Sequence, residues 1–66
     1  MNVFINGEPR DIPDKSSLQT LIESLGLTGK RLAVEVNEDI VPRSQHSEFR
    51  LSENDRVEIV HAIGGG

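Results

Sequence analysis

Apolar and polar residues alternate at the start of the chain, with Met1, Val3 and Ile5 on one parity. A period of two is the mark of a half-buried strand. Asn6-Gly7 follows and is the strongest short-range hairpin signal, so a second, weaker strand is expected to run to about Ile12. Pro13 and Asp14 close it, because proline cannot donate to a ladder. The period then changes. Leu18, Leu21, Ile22 and Leu25 fall at i, i+3, i+4 and i+7, one apolar stripe of a helix predicted over about 17–26. Ser16, with Gln19 three residues on, reads as its capping box, and Ser17 is the competing cap. Gly26 stands where a left-handed C-terminal cap is expected, with Leu27 folding back on the last turn.

Alternation returns at Leu32, Val34 and Val36, a third strand after the Thr28-Gly29-Lys30 loop. Asn37-Glu38-Asp39 reads as a turn and Ile40-Val41-Pro42 as a short extended piece. Arg43 to Leu51 carries the weakest pattern, and Phe49 and Leu51 are expected to anchor it. Ser52-Glu53-Asn54-Asp55 is a polar turn. A last strand runs from Arg56 to Ile63. One amphipathic helix on one face of a small mixed sheet is an α+β architecture. The expected core is Val3, Ile5, Leu18, Leu21, Ile22, Leu25, Leu32, Val34, Val36, Val57 and Ile59. Phe4 and Val60 have the opposite parity and are expected on the open sheet face, which makes them candidate docking residues. The domain is expected to span 1–63, followed by a flexible glycine tail at 64–66.

Size and charge narrow the function. A chain of 66 residues buries only about 60% of its unfolded surface, so a deep catalytic cleft is hard to build. There is no cysteine, hence no disulfide, thiol nucleophile or thiolate metal ligand. No apolar stretch is long enough to span a membrane, no signal-peptide layout is present, and the reading is a cytoplasmic protein. Net charge is −4, and the seven basic residues look scattered, with no basic stripe. Phe4 and Phe49 are the only aromatics, so nucleic acid lacks both a cationic track and stacking platforms. His46 reads as a solvated loop side chain. His61 reads as a side chain at the sheet edge, its functional option being contact with a partner beside the tail. Neither has the spacing of a metal site. Glu38 and Asp39 lack the enclosure that tunes a carboxylate for acid–base work. No catalytic group and no bound cofactor are expected.

What remains is Gly64-Gly65-Gly66 and its carboxylate. A carboxylate is a poor electrophile. Attack of its oxygen on the α-phosphate of ATP would give an acyl-adenylate, which a sulfur or amine nucleophile can take. Glycine has no Cβ to block the carbonyl and accepts unusual backbone angles. Three extended residues reach about 10 Å, enough to enter an active site while the folded body docks outside. The chain then acts as a carrier, and partner enzymes perform the chemistry.

The start Met1-Asn2-Val3-Phe4-Ile5-Asn6-Gly7-Glu8, the middle Ala33-Val34-Glu35-Val36-Asn37 with Ile40-Val41-Pro42-Arg43, and the end Val60-His61-Ala62-Ile63-Gly64-Gly65-Gly66 resemble the ThiS family. These are small sulfur carriers of thiamin thiazole biosynthesis. The resemblance covers essentially the whole chain. It implies a β-grasp fold with the first and last strands side by side at the sheet centre. It implies adenylation of Gly66 by a ThiF-type adenylyltransferase that consumes ATP, and conversion to a thiocarboxylate with sulfur relayed by a cysteine desulfurase. Thiazole synthase accepts that sulfur. Gly65 is then the obligatory neighbour and Gly64 a spacer. Candidate partner contacts are Phe4, Val60, Ala62, His61 and Arg43; Asn37 and Pro42 are read as fold determinants. Three other readings share parts of this pattern: the small subunit of molybdopterin synthase, a ubiquitin-like modifier joined to lysines, and an interaction module with an inert tail. The first typically carries prolines before its closing Gly-Gly, and Val60-His61-Ala62-Ile63 has none.

Overall fold

The computed structural model describes residues 1–61. Four strands and a seven-residue helix precede the last strand. They are β1 (Asn2–Ile5), β2 (Glu8–Asp11), α1 (Leu18–Ser24), β3 (Leu32–Val36) and β4 (Asp39–Ile40), followed by a short 3-10 turn at Arg43–Gln45 and then β5 (Arg56–His61). The sheet order is β2-β1-β5-β3-β4. β5 lies between two antiparallel hairpins, parallel to β1 and antiparallel to β3. First and last strands are therefore neighbours in the middle of the sheet, as the resemblance implies. Its outer strands are poor templates for further pairing. β2 carries Pro9 among charged residues, and β4 is only two residues long.

Both hairpin turns need positive φ, and asparagine supplies it in each. Asn6 and Gly7 have φ of 50° and 87°, and Asn37 and Glu38 have 52° and 74°. Each asparagine then uses its amide to fasten β5. Asn6 Oδ1 accepts from Ile59 N at 2.9 Å, and its Nδ2 donates to Ile59 O at 3.2 Å. Asn37 Oδ1 accepts from Arg56 N at 2.9 Å, and its Nδ2 donates to Asp55 Oδ1 at 2.9 Å. The fold role read for Asn37 thus has a physical basis. Asn37→Ala removes both bonds and leaves a Cβ residue in a left-handed turn. A loss of about 2 kcal/mol is expected in chemical denaturation. A change under 0.5 kcal/mol would show that this turn does not hold β5.

The helix begins one residue later than the capping box suggests. Ser17 is the N-cap, its Oγ accepting from Thr20 N at 3.1 Å, while Ser16 Oγ donates to Pro13 O at 2.6 Å. Gln19 does not reach back; its Nε2 donates to Glu23 Oε2 at 3.2 Å. The reason lies in the weakly patterned segment. Leu18 N donates to Phe49 O at 2.9 Å and Gln19 N to His46 O at 3.0 Å. Carbonyls distant in sequence thus satisfy donors that an isolated helix would leave to side-chain caps. The other end follows its signal. Gly26 has φ of 73°, its N–H donates to Glu23 O at 3.0 Å, and Leu27 N donates to Ile22 O at 3.2 Å. That pair of bonds is a Schellman motif, and Leu27 packs against the core as expected.

The helix sits on the sheet face formed by Val3, Val34, Val36, Val57 and Ile59, and these are buried with Leu18, Leu21 and Ile22. Ile5, Leu25 and Leu32 were expected inside and are only half-buried, because each stands at the end of its element. Ile12, Val41 and Leu51 complete the core. Ile12 is drawn in by β-type pairing with the chain start, its N–H donating to Met1 O at 2.8 Å.

Candidate functional site

Two surfaces frame the end of β5. The first is the sheet face opposite the helix. Register places Phe4 beside Pro9 and Arg56, Val60 beside Ala33, and Glu35 beside both Ile40 and Glu58. These side chains alternate with the buried set, so they share the open face. Phe4 is half-buried there, while Val60 is 57% exposed and Ile40 76%. The expected placement of Phe4 and Val60 on the open face holds, with a refinement. Arg56 and Val60 are four residues apart on β5, so Phe4 and Val60 stand about 13 Å apart along the strand. They mark two ends of the face rather than one spot. Ile40, the most exposed large apolar residue described, was not foreseen as part of it. The two-residue strand β4 is too short for a parity to show in sequence.

Glu35 and Glu58 lie directly opposite each other near the middle of this face. Like charges in that position destabilise a sheet. Glu58→Gln is expected to raise stability by about 0.5 kcal/mol at neutral pH, measured by denaturant unfolding. No gain, or a loss, would mean that the two carboxylates are already accommodated.

The second surface is a small notch of about 50 Å³ on the helix side, at the end of the sheet where β5 finishes. Lys30, Leu32, Arg43 and His46 line it together with Gln19 and Gly29. Leu32 is the ladder partner of His61, which ties the notch to the last described residue of β5. His46 departs from its expected place. It is only 4% exposed, and its Nε2 lies 2.9 Å from Val41 O, a geometry in which the ring nitrogen donates to the carbonyl. The 3-10 turn folds it under the helix start, so it is a structural residue, not a solvated loop side chain. His61 is exposed as read, but it belongs to the central strand and not to a sheet edge. By register it shares the helix-side parity of Leu32, away from Phe4 and Val60. Arg43 is exposed at the start of the 3-10 turn. Ala62, Gly64, Gly65 and Gly66 lie outside the described residues. Among the described residues, no group of three or more His, Cys, Asp and Glu side chains could hold a metal ion. Among the same residues, no helix is long and apolar enough to cross a membrane.

With this arrangement in view, the decisive comparison is with known sequence families. The profile described as the ThiS family matches residues 3–66, nearly the whole chain. The chain belongs to the ThiS family. Relatives of matching length carry the name sulfur carrier protein. Among its relatives is the sulfur carrier protein ThiS of Thermus thermophilus, 34% identical over 64 residues, covering 97% of this chain and 98% of that one. The ThiS protein of Bacillus subtilis is 38% identical over 53 residues, 80% of each chain. A crystal structure of the thiamine biosynthesis protein ThiS from Geobacter metallireducens covers 100% of both chains with a TM-score of 0.86 at 25% identity, so the fold is the β-grasp fold of ThiS structures. A thiazole synthase of Paramagnetospirillum magneticum is 38% identical over all 66 residues of this chain, which spans only 20% of that protein.

Proposed function

We propose that the chain carries sulfur as a thiocarboxylate on Gly66 for the assembly of the thiamin thiazole. The carrying observation is the pairing of a family-wide match through residue 66 with a central strand whose last described residue, His61, closely precedes Gly64-Gly65-Gly66 in sequence. The strand supplies a rigid base and the glycines supply unhindered backbone beyond it.

In the first step a Gly66 carboxylate oxygen attacks the α-phosphorus of ATP. The bond to the bridging oxygen breaks and pyrophosphate leaves, giving an acyl-adenylate. A ThiF-type adenylyltransferase supplies the ATP site, and the chain itself holds no cofactor. Next the outer sulfur of a persulfide, formed from cysteine by a desulfurase, attacks the acyl carbon and AMP leaves, giving an acyl disulfide. A second thiol then attacks the sulfur that came from the persulfide's cysteine, forms a disulfide with it and releases the acyl-bound sulfur. The product is a thiocarboxylate. Thiazole synthase then takes the sulfur. The thiazole synthases with an equivalent stretch of sequence, such as that of Paramagnetospirillum magneticum, support this choice of acceptor. All of these encounters are placed in the cytoplasm. Phe4, Ile40 and Val60 on the open face and Arg43 and His61 near the tail are the contacts proposed for the partner enzymes.

Intact-mass spectrometry tests the reading. After incubation with ATP, a ThiF-type enzyme and sulfide, a gain of about 16 Da is expected, one oxygen replaced by sulfur. An unchanged mass with an enzyme competent on its own carrier would end the proposal. Covalent ladders that survive reducing agents would favour the modifier reading instead.

A further inference from the structure

We infer that the notch at the base of the tail is a cationic docking point that receives an acidic side chain of the adenylating enzyme, at the mouth of the channel that admits the tail. The inference rests on the carrier reading above.

Charge is the first observation. The body is acidic, with net charge −4. Yet Lys30 and Arg43, thirteen positions apart in sequence, line one notch, and among the described residues no acidic side chain lines it with them. Neither takes part in an ion pair among the described residues. The Glu23 carboxylate accepts from Gln19 Nε2 at 3.2 Å and does not itself line the notch. Two exposed cations are thus left converging on one small space.

Position is the second observation. Leu32, in the wall of the notch, is the ladder partner of His61. The last described residue of β5 therefore stands beside the wall of the notch. The support beneath Arg43 is firm. The turn that carries it is closed by His46 N donating to Arg43 O at 3.1 Å and pinned by the buried His46 ring on Val41 O at 2.9 Å. A guanidinium presented from such a base can bind a carboxylate with two parallel bonds.

Reach decides what the cations meet. Five residues separate His61 from the tip of Gly66 and span at most about 17 Å. Drawn out to that length in an enzyme channel, the tip stands beyond the Debye length of about 8 Å at physiological ionic strength, where charges are largely screened. Lys30 and Arg43 therefore do not act on the ATP phosphates at the reacting end. They face whatever surrounds the tail where it enters the enzyme, and charge complementarity there calls for a carboxylate.

The test is the affinity of the full chain for a ThiF-type adenylyltransferase, measured by calorimetry across a salt series. Lys30→Glu and Arg43→Glu are each expected to weaken binding about tenfold. Arg10→Glu, the same charge change on the exposed outer strand β2, is expected to stay within about twofold. The milder Lys30→Gln/Arg43→Gln double variant guards against misfolding and is expected to flatten the salt dependence. If the notch variants fold and match Arg10→Glu, the docking point is overturned. If the unaltered chain is neither bound nor adenylated by a competent enzyme, the carrier reading fails and the inference falls with it.

Discussion

Removal of Gly66 alone is expected to abolish adenylation while the thermal midpoint stays where it was. The two effects separate because they act on different parts of the molecule. The core described for residues 1–61 is built without the last glycine. Loss of one glycine, which has no side chain to bury, is expected to fall within about 0.5 kcal/mol. Chemistry is far less tolerant. Deletion pulls the carboxylate back by roughly 3.5 Å, and a misplacement of about 1 Å can already cost a hundredfold in rate. The measurements are the mass of the product after incubation with ATP, enzyme and sulfide, and a calorimetric scan of the truncated chain. Full adenylation of the shortened chain would show that the position of the terminal acyl group is not what the enzyme reads. A drop of several degrees in the midpoint would make the tail structural.

The second large effect falls on stability. Leu18→Ala is expected to cost about 2–5 kcal/mol, the range for opening a cavity at a fully buried leucine. Leu18 is 0% exposed, and its backbone N–H is also the donor that docks the helix onto Phe49 O. A domain of 66 residues is expected to have roughly 3–10 kcal/mol in total, so this single change consumes a large part of it. At about 4–8 °C per kcal/mol, the midpoint should fall by at least about 8 °C. Ile40→Ala is the matched control. Its side chain is 76% exposed on the open face, so little change is expected. Equal losses for the two variants would contradict the burial described for α1.

Local chemistry was legible in the sequence, and long-range chemistry was not. Asn6-Gly7 forms the hairpin it announces, and Gly26 with Leu27 forms the expected C-cap, because each signal is contained in a few neighbouring residues. The stripe of Leu18, Leu21 and Ile22 is buried for the same reason. Ser16 lost the N-cap to Ser17 because His46 and Phe49 carbonyls, nearly thirty residues away, already serve the first helical donors. The same contact buries His46, which nothing in its own segment could reveal. The candidate site divides along that line too. Phe4 and Val60 follow from strand parity alone. Lys30 and Arg43 line one notch only because the loop after the helix and the 3-10 turn after β4 come together, so the basic residues looked scattered along the chain.

The position of β5 has a further consequence for how the molecule fails. Each hairpin, β1–β2 and β3–β4, can form from local sequence, but only β5 joins them. Cleavage before Arg56, or delay in placing this strand, leaves two sheet fragments whose inward edges have open hydrogen-bonding rows. Such edges invite pairing between molecules, so nicked or slowly maturing chains should be the aggregation-prone species. Proteolysis confined to the turn at 52–55 should accordingly yield precipitate rather than a soluble, nicked domain.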